Sequence, residues 1–181
     1  MSTTDKRDSW VSIHIRGGLE QGEISIKDTF LYECVSLGHT RDESMPLTRS
    51  RGNFHSPTDQ TLALTEQDID QITIPPYGIG EVCTRGRRGS EGWMDLFHGE
   101  DKICELHWDN RDKKRRNSFE VTGMDPDKYR IACSGWSPQA GPMGHVFIDV
   151  EAAKAAAKAR AAEKIEEEHE ELVNPAGTIQ N

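Results

Sequence analysis

Trp10-Val11-Ser12-Ile13-His14-Ile15 alternates side chains: Val11, Ile13 and Ile15 are apolar, while Ser12 and His14 between them are polar. A period of two puts one set on each face of an extended chain, the pattern of a half-buried strand and not of a helix. Gly17-Gly18 ends the run, and Glu23-Ile24-Ser25-Ile26-Lys27 alternates again, so the two segments are expected to form an opening hairpin. Further strands are expected at Phe30–Val35, Thr61–Leu64, Gln71–Ile74, Gly92–Phe97, Lys102–Trp108, Ser118–Thr122, Tyr129–Ser134 and Gly144–Val150. Pro75-Pro76, His98-Gly99-Glu100-Asp101, Gly123, Pro126 and the stretch from Pro138 to Pro142 supply the turns, while Gly38 to Asp59 is polar and reads as a long loop with weak edge structure. Short strands at regular spacing predict an all-β fold, a single antiparallel β-sandwich over residues 9–150.

After Val150 the composition changes abruptly. Residues 151–174 are dominated by Ala, Glu and Lys, strong helix formers, with Pro175 and Gly177 closing the segment. Ile165, Leu172 and Val173 are its large apolar residues, so the expected C-terminal helix has little to bury. Lys154, Lys158 and Arg160 stand in its first half and Glu166 to Glu171 in its second, an order that opposes the helix dipole. It reads as a solvated appendage, with residues 1–8 and 175–181 as flexible termini.

The chain of 181 residues carries 22 Lys and Arg against 31 Asp and Glu, a net charge of -9, and its hydrophobic content is 34%. Mean hydropathy is -0.72. No apolar run is long enough to span a bilayer, and the first residues do not resemble a secretory leader, so the expectation is a cytoplasmic or non-classically released protein. The acidic balance opposes binding to nucleic acid. Cys34, Cys83, Cys104 and Cys133 are widely spaced with no Cys-x-x-Cys pair, which argues for reduced, buried thiols and against a zinc ribbon.

Catalytic motifs fail on inspection. Gly78-Ile79-Gly80 lacks a third glycine and a following helix. Cys83 to Ser90 resembles a phosphatase loop, but the arginine required six positions after the cysteine is Gly89. No Gly-x-Ser-x-Gly elbow is present, and His14, His107 and His145 fall in separate strands without metal-ligand spacing. The sequence predicts no enzyme, no cofactor and no metal. Two basic clusters break the acidic background instead: Arg85, Arg87 and Arg88 before Trp93, and Arg111, Lys113, Lys114, Arg115 and Arg116 after Trp108. Such turns can hold a phosphate by charge-assisted hydrogen bonds, with tryptophan at the polar–apolar boundary.

The blocks Gly89-Ser90-Glu91-Gly92-Trp93-Met94-Asp95-Leu96 and Leu106-His107-Trp108-Asp109 resemble the core signature of the aegerolysins, small acidic β-sandwich proteins. The match continues through Asn117-Ser118-Phe119-Glu120-Val121, Lys128-Tyr129-Arg130-Ile131, Ser134-Gly135 and Gly141-Pro142-Met143-Gly144, and includes Trp10-Val11. It covers residues 9–150. The resemblance implies a non-enzymatic protein that recognises a membrane lipid, typically sphingolipid alone or with sterol. In some members that protein is the binding half of a two-component cytolysin acting with a perforin-like (MACPF) partner.

Residue by residue, the resemblance implies lipid-headgroup roles for Trp10, His107, Trp108 and Asp109, with Arg115 where a cation meets the phosphate. Arg88 lies near a position that senses lipid context. The family's Asp-Cys-Pro-Trp-Gly-Ser turn reads here Asp109-Asn110-Arg111-Asp112-Lys113-Lys114, so Asp112 replaces a membrane-inserting tryptophan, and Tyr32 or Glu33 stands near a second one. The alternative reading is a non-lytic interaction module whose rim or C-terminal helix binds a protein partner.

Overall fold

The computed structural model describes residues 9–32, 52–86, 89–110 and 115–153. Within them the strands are β1 (Ser9–Gly18), β2 (Ile24–Leu31), β3 (Asn53–His55), β4 (Ala63–Leu64), β5 (Thr73–Ile74), β6 (Ile79–Gly86), β7 (Glu91–His98), β8 (Asp101–Asp109), β9 (Ser118–Thr122), β10 (Tyr129–Ser134) and β11 (Gly144–Ala152). One sheet has the order β10-β11-β1-β6-β3-β4 and the other β5-β2-β7-β8-β9. The alternating apolar residues meet between them. Val11, Ile13, Ile15, Val82, Val146 and Ile148 come from the first sheet and Ile26, Met94, Leu96, Ile103, Leu106 and Trp108 from the second, and all are fully buried. Burial of each such side chain stabilises the fold by about 1.5–3 kcal/mol.

The opening hairpin does not form. β1 and β2 lie in different sheets, because β1 has backbone partners on both flanks: β11 in parallel and β6 antiparallel. Leu19 turns into the core after β1, and the chain crosses to the second sheet, where β2 pairs with β5 and β7. The sandwich is therefore antiparallel except at the β1–β11 pair, a non-local contact that alternation cannot reveal.

The expected strands Thr61–Leu64 and Gln71–Ile74 shrink to β4 and β5 around a short helix, α1 (Glu66–Asp70). Thr65 and Asp68 form its capping box: Thr65 Oγ1 accepts from Asp68 N–H at 3.2 Å, and Asp68 Oδ2 accepts from Thr65 N–H at 2.7 Å. Glu66 Oε1 and Asp70 Oδ1 then accept from the Leu31 and Thr29 backbone N–H groups, where a bulge at Asp28 has interrupted the β2–β7 pairing. The three-residue β3 is the weak strand structure within the Gly38–Asp59 loop, next to the edge strand β4, and β6 was hidden by its glycine and charged residues. β11 extends through Ala152, so Glu151 and Ala152 are strand rather than the start of a helix; the expected tail lies outside the described residues from 154 onward. Cys83 and Cys104 are buried as expected, and burial pushes each thiol up to about 12. Cys133 is exposed instead, because β10 is an edge strand; Cys34 lies outside the described residues.

Candidate functional site

The register brings one end of the sandwich together from both sheets. β1 begins there at Ser9 and Trp10, opposite Gly86 and Arg85 at the end of β6. β7 begins there at Glu91, opposite Asp109 at the end of β8, and Asp109 in turn faces Ser118 at the start of β9. The β6–β7 connection is a tight turn in which Gly89 N–H donates to Gly86 O at 3.0 Å. Gly89 has φ +91°, and a Cβ on Gly86 would collide with the Gly89 carbonyl oxygen, so the turn requires glycine at both positions. Arg87 and Arg88, which this turn carries, lie outside the described residues.

A buried polar network fixes this turn to the next one. Ser90 N–H donates to Asn110 Oδ1 at 2.7 Å, Ser90 Oγ donates to the same oxygen at 3.0 Å, and Asn110 N–H donates to Ser90 O at 2.9 Å. Thr84 Oγ1 lies 2.7 Å from Ser90 Oγ. The two basic segments therefore leave adjacent points of the same rim. Asn117 ties down a third segment, its Nδ2 lying within hydrogen-bond distance of the carbonyls of Ser137, Gln139 and Gly141 at 3.0, 2.6 and 3.2 Å. That loop returns to β1 through Met143 N–H, which donates to Trp10 O at 3.0 Å.

Of the six residues singled out from sequence, Trp10, Asp109 and Arg115 stand at this end, Trp10 half-buried on the outer face of the first sheet and Arg115 exposed just before β9. His107 sits opposite Trp93 on the outer face of the second sheet, with Nε2 3.4 Å from Glu91 Oε1, so it faces away from Trp10. Trp108 is a correction. It is 0% exposed, its ring packs against Phe54, and its indole N–H donates to Ser90 Oγ at 3.3 Å. It shapes the rim from beneath and presents nothing to a ligand. Opposite it, Gly92 is obligatory, since a Cβ there would lie 2.5 Å from the Trp108 ring. Arg88 and the segment 111–114 lie outside the described residues.

Two features escaped the sequence reading. Phe30, Tyr32 and Trp93 form an aromatic cluster on the outer face of the second sheet near the same end: Phe30 stacks on Trp93 at 4.6 Å, and Tyr32 meets Trp93 and Phe30 edge-on at 5.0 and 5.3 Å. Phe30 and Tyr32 are 39% and 42% exposed, an unusual placement for adjoining aromatic rings. Their spacing of two, shared with Trp93 across a strand pair, was the available signal. The second is a polar array on the outer face of the first sheet. Ser12 Oγ donates to Glu81 Oε1 at 2.6 Å and lies 2.9 Å from His14 Nε2, which is itself 2.9 Å from His145 Nδ1. Burial works against the Glu81 carboxylate, but hydrogen bonds from Ser12 and Cys83, with the nearby histidines, hold its carboxyl below the usual range. The parallel β1–β11 pair brings the two histidines together. Among the described residues no group of three or more His, Cys, Asp or Glu is arranged to hold a metal ion.

No helix among the described residues is long and apolar enough to cross a membrane. Two proteins of known structure share the fold. IP-1A from Alcaligenes faecalis superposes with a TM-score of 0.64 at 22% identity, covering 81% of this chain and 93% of that one. The RahU protein, solved in complex with a TRIS molecule, gives 0.63 at 16% identity, covering 80% and 95%. Among curated proteins, terrelysin from Aspergillus terreus is 63% identical over 145 residues, 80% of this chain and 89% of its own. Asp-hemolysin from Aspergillus fumigatus is 26% identical over 154 residues, 83% and 97% of the two chains. With the aegerolysin family model matching residues 34–154 as well, the chain belongs to the aegerolysin family.

Proposed function

We propose that this chain binds membrane lipid through the end where β1, β6, β7 and β8 meet, without a catalytic step or cofactor. The phosphate of a sphingolipid-type headgroup is taken by Arg115 and the neighbouring basic turns, Arg88 among them. Trp10 and the Phe30–Tyr32–Trp93 cluster lie at the polar–apolar boundary, where amphipathic rings are favoured. The observation that carries this reading is the Ser90–Asn110 clamp, which starts both basic segments from one point beside the strand that bears Trp10. Guanidinium groups suit bidentate contact with phosphate. The similarity to a protein named a hemolysin supports the same reading, and a sterol-containing membrane and a perforin-like partner are its extensions.

Sedimentation with vesicles is the test. Vesicles of sphingomyelin and cholesterol should carry the protein down, and Arg115→Ala should weaken the association several-fold. Raising salt should weaken it further, since exposed charges are screened beyond about 8 Å at physiological ionic strength. If neither sphingomyelin nor anionic phospholipid vesicles retain the protein, the reading fails.

A further inference from the structure

We propose that His145 is a positioning residue for Trp10, and that a proton taken up at His145 Nδ1 releases the indole from its place at the rim. The inference rests on Trp10 being part of the lipid-binding end.

The indole of Trp10 meets the His145 ring edge-on at 5.1 Å. His145 is held in turn by His14, through the 2.9 Å contact between His14 Nε2 and His145 Nδ1. Such a bond needs a proton on one nitrogen and a lone pair on the other. The Ser12 hydroxyl spends its proton on Glu81 Oε1 and so acts as acceptor towards His14 Nε2. The network thus assigns the proton to His14 Nε2, whose one N–H is shared between Ser12 Oγ and His145 Nδ1, and leaves His145 Nδ1 as a lone-pair acceptor. A proton arriving on His145 Nδ1 abolishes that bond.

Of the neighbouring charges Glu81 alone favours a proton on His14, against burial, His145 and Arg16, and two protons on the pair are opposed further. Glu81 Oε1, 3.8 Å from His14 Nε2, offsets one imidazolium. Glu81 also feels His145, but among the described residues no further carboxylate is paired with a second imidazolium. Arg16, beside the pair on β1, adds like charge, and Asp149 on β11 is engaged by Arg16 at 3.4 Å. Cys83, next to Glu81, stays neutral because burial pushes its thiol up to about 12. His55 on β3 faces Cys83 in register, and Arg85 on β6 faces Trp10, so among the described residues neither strand supplies an anion besides Glu81. Two imidazolium rings at hydrogen-bond distance then repel. His14 is half-buried and stacked on Phe147 at 5.0 Å, whereas His145 is exposed, so His145 is the ring that moves and Trp10 loses its neighbour.

The full chain supplies the test. The Trp10 indole N–H resonance, identified by its loss in Trp10→Phe, is followed from pH 8 to pH 5 in the wild type and in His145→Gln. The wild-type indole should shift with the midpoint of the His145 ring signals, and His145→Gln should remove that dependence. On zwitterionic sphingomyelin–cholesterol vesicles, where ring charge adds no attraction, wild-type binding should weaken about threefold to tenfold between pH 7.5 and 5.5, the cost of ordering a freed side chain. In His145→Gln it should not change with pH. An indole signal that stays flat while the His145 ring titrates, or a pH dependence that survives in His145→Gln, overturns the positioning role. Vesicles that bind no wild-type protein at any pH overturn the lipid reading instead, and the indole titration then decides the positioning role alone.

Discussion

Ser90 and Asn110 hold each other by three hydrogen bonds, two onto Asn110 Oδ1 and one onto the Ser90 carbonyl, although they sit in different turns. Both are buried, Ser90 at 0% and Asn110 at 2% exposure. Buried pairing of this kind is costly to break, because the abandoned donors lose water as well as their acceptor. Asn110→Ala is therefore expected to lower stability by about 1–3 kcal/mol, and Asn110→Asp, which retains an acceptor oxygen, by less. Urea denaturation of the two variants measures the difference. Equal losses would show that the acceptor at this position does not join the turns.

Trp108 and Trp10 should separate cleanly in experiment. Trp108→Ala empties a fully buried site and is expected to cost about 3–5 kcal/mol. Trp108→Phe, a smaller change, should leave the vesicle affinity of the folded protein as it was. Trp10→Ala should do the reverse, with little change in melting temperature and a clear loss of vesicle binding. Denaturation and sedimentation run on the same three variants test the contrast, and a loss of lipid affinity in folded Trp108→Phe would restore that indole to the binding surface.

The strand content of the fold was legible because alternation is local. β9 and β10 run over the residues that periodicity marks, Ser118–Thr122 and Tyr129–Ser134. What stayed hidden was pairing over long sequence distances. Val11↔Gly144 and Ser12↔His145 join the two ends of the domain in parallel, and nothing in either strand announces its partner. The misplaced hairpin and the missed His14–His145 contact share that origin. Thr65-x-x-Asp68 was a readable helix start that two short apolar runs masked. At the candidate site, the family blocks mark residues that the fold gathers at one end of the sandwich, but they could not tell which aromatic faces solvent: Trp108 and Trp93 lie on adjacent strands with opposite outlooks.

Tyr32 provides a direct probe of the aromatic cluster. It is 42% exposed and touches Trp93 and Phe30 at its ring edges, so little core packing depends on it. Tyr32→Ser is expected to change folding stability by less than about 1 kcal/mol, as surface substitutions usually do. If the cluster enters the membrane boundary, the same change removes apolar area from the bound state and should weaken vesicle binding by about fivefold or more. Sedimentation of Tyr32→Ser with sphingomyelin–cholesterol vesicles reads this directly. Unchanged binding would place the cluster outside the lipid contact.

Acid should destabilise the fold in two stages, set by His14 and Glu81. Burial, helped by His145 and Arg16 and opposed by Glu81, lowers His14 below the ordinary imidazole value of 6.5. Despite burial, the bonds from Ser12 and Cys83 hold Glu81 below its ordinary 4.5. For both groups the unfolded chain binds more protons than the folded one between the two values, so stability rises with pH there. The His14 contribution is fully present above about 6.5 and is lost as pH falls towards its folded value; the Glu81 contribution is present above about 4.5 and is lost below. Melting temperature should be level from pH 8 to 7 and decline below 6.5, with each proton adding at most about 1.4 kcal/mol per pH unit. Glu81→Gln should abolish the second stage. It should also deepen the first, because His14 then loses the carboxylate that favours its charged form. A wild-type melting temperature that holds constant down to pH 5 would mean that His14 binds its proton equally in the folded and unfolded chain.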